Sequence, residues 1–159
     1  MSELTSLLDE LNRIHDGDGA WHGLSLNFIL HDISADRALR RVPGASHSIC
    51  GLVLHIGAWE DVFCDRLEGR ERKEPEDGDF PPVPGNNEQT WTDALALLQR
   101  AHQRLLAVVA AMKDADLSKP IPGKDYDAAF MLHGVVRHHV YHAGQIGLLK
   151  QLMRSSAKR

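Results

Sequence analysis

Apolar residues recur at three- and four-residue spacings in four stretches of the chain, and each predicts a helix with one buried face. Leu4, Leu7, Leu8, Leu11 and Ile14 mark the first, from Glu3 to His15, with Gly17 and Gly19 ending it. A looser segment from Trp21 to Ala38 predicts a short helix from Ser25 to His31 and a helical turn after Ser34, before a break at Pro43 and Gly44. Ile49, Leu52, Ile56, Trp59 and Phe63 predict a second long helix from Ser46 to Leu67, with Ser46 or Ser48 as its N-cap. A third begins at Thr90, where Thr90 and Asp93 fit a capping box. It runs through Trp91, Leu95, Leu98, His102, Leu105, Val109 and Met112, and Leu117, Pro120, Pro122 and Gly123 close it. The fourth spans Asp127 to Met153 on Met131, Val135, His138, His142, Gln145, Leu149 and Leu152. Residues 69–88 mix charges of both signs with Pro and Gly, and predict a loop long enough to imply either function or disorder. Strand-like alternation and internal repeats are absent, so the pattern predicts an all-α chain built as a four-helix bundle. Its 159 residues suit one domain, 1–159, with a frayed tail from Arg154 to Arg159.

Composition removes several alternatives. A hydrophobic content of 43% and a charged content of 25% exclude a disordered or fibrous chain. Eighteen basic against 22 acidic residues leave a net charge of −4, which argues against binding nucleic acid through overall basicity. The longest stretch free of charged residues, Val42 to Trp59, holds a Pro, three Gly, two Ser and two His, too broken for a membrane span. The first residues carry acids among the leucines and no basic, continuously apolar leader, so a cytoplasmic location is expected. Cys50 and Cys64 on one helix would stand about 21 Å apart, beyond the roughly 7 Å a disulfide spans. They read as inert core thiols.

The chain has ten histidines, and their placement carries the chemistry. His138 and His142 sit one turn apart on the inward stripe of the fourth helix, followed there by Gln145. His55 falls between Leu52 and Trp59 on the inward stripe of the second. A buried imidazole needs a partner, so either neighbouring side chains satisfy these groups or a metal does. Three imidazoles with open positions left over describe a catalytic rather than a structural metal site. The residue after His138 is His139, so the H-E-x-x-H pattern fails, and no E-x-x-H occurs to support a di-iron carboxylate site. His102 reads as a core histidine or a support for the ligands, and His139 as pointing away from them. Trp21 and His22 would line the pocket or pin a loop. Asp16, Asp18 and Glu60 are candidate bases that spacing does not separate. Gly134, Gly144 and Gly147 imply close helix approach or room beside a metal.

The run His138, His139, Val140, Tyr141, His142, Ala143, Gly144, Gln145, Ile146 resembles the fourth-helix signature H-x-x-Y-H-x-G-Q-I of the DinB/YfiT-like superfamily. Ser48 to Ile56 with Trp59 resembles that family's second-helix motif, and Gly19 to Gly23 and Trp91 resemble further landmarks. The resemblance spans nearly the whole chain. It implies an up-down four-helix bundle, a divalent metal, zinc or nickel, on His55, His138 and His142, and a homodimer. It also implies a metal-dependent hydrolase, or a transferase or isomerase that uses a low-molecular-weight thiol such as bacillithiol, mycothiol or glutathione.

The expected function is therefore an enzyme acting on a small molecule, with neither nucleic acid nor membrane as partner. Its metal would activate a thiol or water, and the lack of a Glu beside the ligands tips the expectation towards thiol transfer. A non-catalytic metal- or small-molecule-binding bundle and a plain helical interaction module are the alternatives.

Overall fold

In the computed structural model, residues 1–17 and 20–156 are described. The proposed terminator Gly19, the candidate base Asp18 and the last three residues of the tail lie outside them. Among the described residues the chain is all-helical: α1 (Glu3–His15), α2 (Leu26–Leu30), α3 (Ala35–Leu39), α4 (Ile49–Leu67), α5 (Glu88–Ala110) and α6 (Ala128–Ser156), with a 3₁₀ turn at Asp114–Ser118. Extended pairing is limited there to two isolated bridges, Ala20 with Gly23 and Pro120 with Asp127.

Local chemistry sets the helix starts. Ser2 accepts from the Thr5 amide to cap α1, and Ser48, rather than Ser46, accepts from the Gly51 amide to cap α4. Asp127 Oδ1 accepts from the Phe130 amide at the head of α6, 2.9 Å away. The predicted start of α5 is corrected. Asn87 is the cap, its Oδ1 accepting from the Thr90 amide at 2.9 Å and from the Thr90 hydroxyl at 3.1 Å. Thr90 is thus a buried donor in the first turn instead of the capping residue. α5 also ends earlier than expected, at Ala110, and the 3₁₀ turn rather than helix carries Leu117 into the core.

The four long helices pack α4 against α5 and α6, and α1 against α5 and α6. Two apolar clusters result. One gathers α2, α3, the first half of α4, the start of α5 and the end of α6, around Leu26, Ile49, Ile56, Leu98 and Ile146. The other gathers α1, the ends of α4 and α5 and the start of α6, around Leu11, Phe63, Leu105 and Leu132. Between the two clusters lie the buried histidines.

Glycine acts where α4 crosses α5: a Cβ on Gly57 would lie 2.3 Å from Leu97 Cδ2 and 3.2 Å from Leu98 Cα. Close helix approach, one of the two reasons expected for Gly134, Gly144 and Gly147, does not hold, since a Cβ on any of them would meet nothing within 4 Å, and none of the three lines the histidine cleft. They lie on a face of α6 that also bears exposed Phe130, Tyr141 and Leu148. Cys50 and Cys64 are buried free thiols of α4, and burial raises them to about 11 and about 12. No helix among the described residues is long and apolar enough to cross a membrane.

Candidate functional site

His55 comes from the middle of α4, and His138 and His142 from successive turns of α6, which packs against it. Their Nε2 atoms converge: His55 to His138 is 2.9 Å and His142 to His138 is 3.1 Å. The outward nitrogens fix the tautomers. His55 Nδ1 donates to the Asp79 carbonyl oxygen at 2.6 Å, and His142 Nδ1 donates to Gln145 Oε1 at 2.7 Å. A neutral imidazole carries one N–H. His55 and His142 therefore both present bare Nε2 lone pairs to the same point. His138 has one proton at most for two acceptors, and its Nδ1 is buried without a partner. A proton on Nε2 serves one neighbour; a proton on Nδ1 serves none.

All three imidazoles are held neutral. Burial lowers His138 to about 3, helped by His142, His139 and His55. Burial likewise lowers His142 to about 4, partly opposed by its bond to Gln145. His55 is lowered by burial against the opposing pull of Asp79. Neutral imidazole is the form that ligates metals. The convergence of three lone-pair-bearing nitrogens, two of them oriented by carbonyl acceptors, fits a divalent ion.

These histidines form one wall of a cleft of about 560 Å³. Ser46, His47, Trp59, Phe63, Asp79, Phe80, Tyr141 and Gln145 complete it. Phe80 lies between two imidazoles, its centroid 3.7 Å from His47 and 4.0 Å from His55. Trp59 Nε1 donates to Asp79 Oδ1 at 2.9 Å, which ties the long loop to α4. The start of that loop is held by buried Arg66, which donates to the carbonyls of Arg72 at 2.8 Å and Lys73 at 2.6 Å. The loop is thus fixed at both places and delivers Asp79 and Phe80 to the cleft.

A sequence model of the DinB superfamily matches residues 6–146, most of the chain. The chain belongs to the DinB superfamily. No curated protein matches it.

In this DinB-superfamily chain the remaining candidates divide. Tyr141 and Gln145 line the cleft, whereas Trp21 and His22, both exposed, are not among its lining residues. Asp16 is exposed beside His15 and Asn27. Glu60, expected among the bases, is 0% exposed and outside the cleft. It belongs to a second group with His102 and His139, and the ligand atoms of these three lie within 4.8 Å of one another. His102 Nδ1 donates to Glu60 Oε1 at 2.7 Å, and His139 Nε2 stands 3.1 Å from the same oxygen. His15 stacks on His102 with centroids 3.7 Å apart and planes 7° from parallel. His139 does point away from the ligand set, as its position on the helix implied, and the place it points to is this group.

Asp79, Phe80 and His47 were not singled out by sequence. Asp79 and Phe80 lie in a loop without periodicity, and the only signal that could have found them was that loop's unusual length.

Proposed function

We propose that this protein is a metal-dependent enzyme that uses His55, His138 and His142 to hold a divalent ion, zinc or nickel, and activates a thiol or a water towards a small molecule in the adjoining cleft. The observation that carries the reading is the pair of bare Nε2 lone pairs on His55 and His142, aimed with His138 at one point on an open cleft. When bound there, such an ion supplies a Lewis acid that makes a thiol or water nucleophilic at neutral pH. The chain's own residues do the rest. Asp79 O and Gln145 Oε1 hold the two imidazoles in the ligating tautomer, and Phe80, Trp59 and Phe63 give the substrate an apolar wall. A neighbouring cleft of about 720 Å³ shares Ser46, His47 and Phe80 and adds Arg40 and Arg41, which suit an anionic end of the substrate.

Thiol transfer needs no general base, because coordination deprotonates a thiol outright. Hydrolysis gains support from Asp79, whose exposed carboxylate lines the cleft, 3.6 Å from His55 Nδ1. The test is to load untagged protein with zinc or nickel and offer an electrophile with bacillithiol, mycothiol or glutathione, beside ester, amide and lactone panels. Turnover abolished in His142→Ala supports the enzyme. Thiol-dependent turnover identifies transfer, turnover in the ester, amide or lactone panels identifies hydrolysis, and an Asp79→Asn loss of about 100-fold in the latter identifies Asp79 as its base. Metal bound with silence in both panels would instead favour a non-catalytic binding protein. The homodimer is proposed on the same resemblance, and light scattering at monomer mass across micromolar concentrations would remove it.

A further inference from the structure

We infer that Glu60, His102 and His139 form a second, wholly enclosed site for a divalent transition-metal ion, with His15 packed as its lid. The inference stands apart from the cleft site, since none of these four residues lines that cleft.

The argument begins with unmet polar valence. Glu60, His102 and His15 are 0% exposed and His139 is 1% exposed. One hydrogen bond of good geometry joins them, from His102 Nδ1 to Glu60 Oε1. Glu60 Oε2, His102 Nε2, His139 Nδ1 and His15 Nε2 are buried without a hydrogen-bond partner, and His139 Nε2 has only a poorly aligned contact with Glu60 Oε1, 3.1 Å away. A buried polar atom left without a partner destabilises the fold, and an apolar core of the same volume would contain no such atoms. Glutamate is almost never fully buried unless it is paired or bound to a metal.

The donor chemistry selects the ligand. An ionised carboxylate offers two oxygens that only accept, and each neutral imidazole offers one lone pair; an ion among them would replace the proton between His102 Nδ1 and Glu60 Oε1, with His102 carrying its remaining proton on Nε2. The N–H that His102 Nδ1 directs at Glu60 Oε1 favours the ionised carboxylate. Two imidazole nitrogens and a carboxylate suit zinc, iron or cobalt better than calcium or magnesium, which prefer oxygen alone. The donors come from three helices, α4, α5 and α6, and His15 of α1 covers them. An ion there would cross-link the bundle from within, and the complete burial of its donors makes its role structural rather than catalytic.

The competing account is a proton shared within the carboxylate–imidazole group with no ion. Metal content separates the two. Untagged full-length protein is loaded with Zn²⁺ or Co²⁺, desalted and analysed for ions per chain. Wild type is expected to hold one ion more than Glu60→Gln and one more than His142→Ala, and the double variant none. The Co²⁺ absorption spectrum of His142→Ala should show a site that Glu60→Gln in the same background erases. Should Glu60→Gln fail to fold, His102→Asn replaces it, and the melting temperature of His138→Ala/His142→Ala is followed on adding Zn²⁺; a rise supports the inner site. Equal metal content in wild type and folded Glu60→Gln or His102→Asn, or no Zn²⁺ stabilisation of the double histidine variant, overturns it and leaves the proton-sharing group. Failure of the cleft site would show separately, as unchanged metal content in His142→Ala.

Discussion

The direction of two N–H bonds decides what the outer histidines offer. His142 presents its Nε2 lone pair because Gln145 accepts its Nδ1 proton. Gln145→Leu keeps the volume and removes the acceptor, so metal affinity should fall about 10–100-fold, read by calorimetric Zn²⁺ titration; unchanged affinity would mean that the orientation is set by packing alone. Burial has a second consequence at this scale. His15 and His142 are held at about 4 and His138 at about 3, whereas an unfolded histidine takes a proton at about 6.5. Below that pH the unfolded chain binds protons that the folded one refuses, so stability is lost as pH falls and regained as it rises. The urea midpoint of metal-free protein should therefore drop between pH 7 and pH 5, a window above most carboxylate titration; a flat profile would contradict the neutral, buried state. Residue roles were unevenly legible in the sequence. His55, His138 and His142 could be placed together because helix periodicity says which side chains share a face. Glu60 could not be separated from the exposed acids, because a single charge on an apolar stripe looks alike whether it meets solvent or a buried imidazole.

At the scale of the element, periodicity located the four long helices but not all of their ends. The head of α5 was misread because Thr90 and Asp93 mimic a capping box, while Asn87 does the capping from the edge of a loop without pattern. The contribution of that loop depends on partners far away in sequence, Trp59 and His55, which no local window contains. Glycines separate the same way, since sequence cannot tell a helix crossing from an open face. Gly57→Ala should destabilise by about 1–3 kcal/mol, because the added methyl meets the α5 backbone as well as Leu97. Gly144→Ala, facing open space, should stabilise by about 0.5–1 kcal/mol. Denaturant melts of both variants check the pair. Destabilisation by Gly144→Ala would show that this face of α6 is covered in solution.

For the whole molecule, the DinB signature and the helical pattern converged on one fold, and the family model spans 141 of the 159 residues, from 6 to 146. The inner histidine group escaped the pattern because it is a property of the assembled bundle: His15 belongs to α1, Glu60 to α4, His102 to α5 and His139 to α6. That distribution has a kinetic consequence. No pair of neighbouring helices can complete the group, so it closes only when the last of the four docks. Its contacts should be largely missing from the folding transition state, with φ-values near zero. In metal-free protein, His15→Leu should then change the unfolding limb of the chevron and leave the folding limb almost unmoved. A matched change in the folding rate would place this centre in the nucleus instead, with α1 among the first helices to arrive rather than the one that locks the others in place.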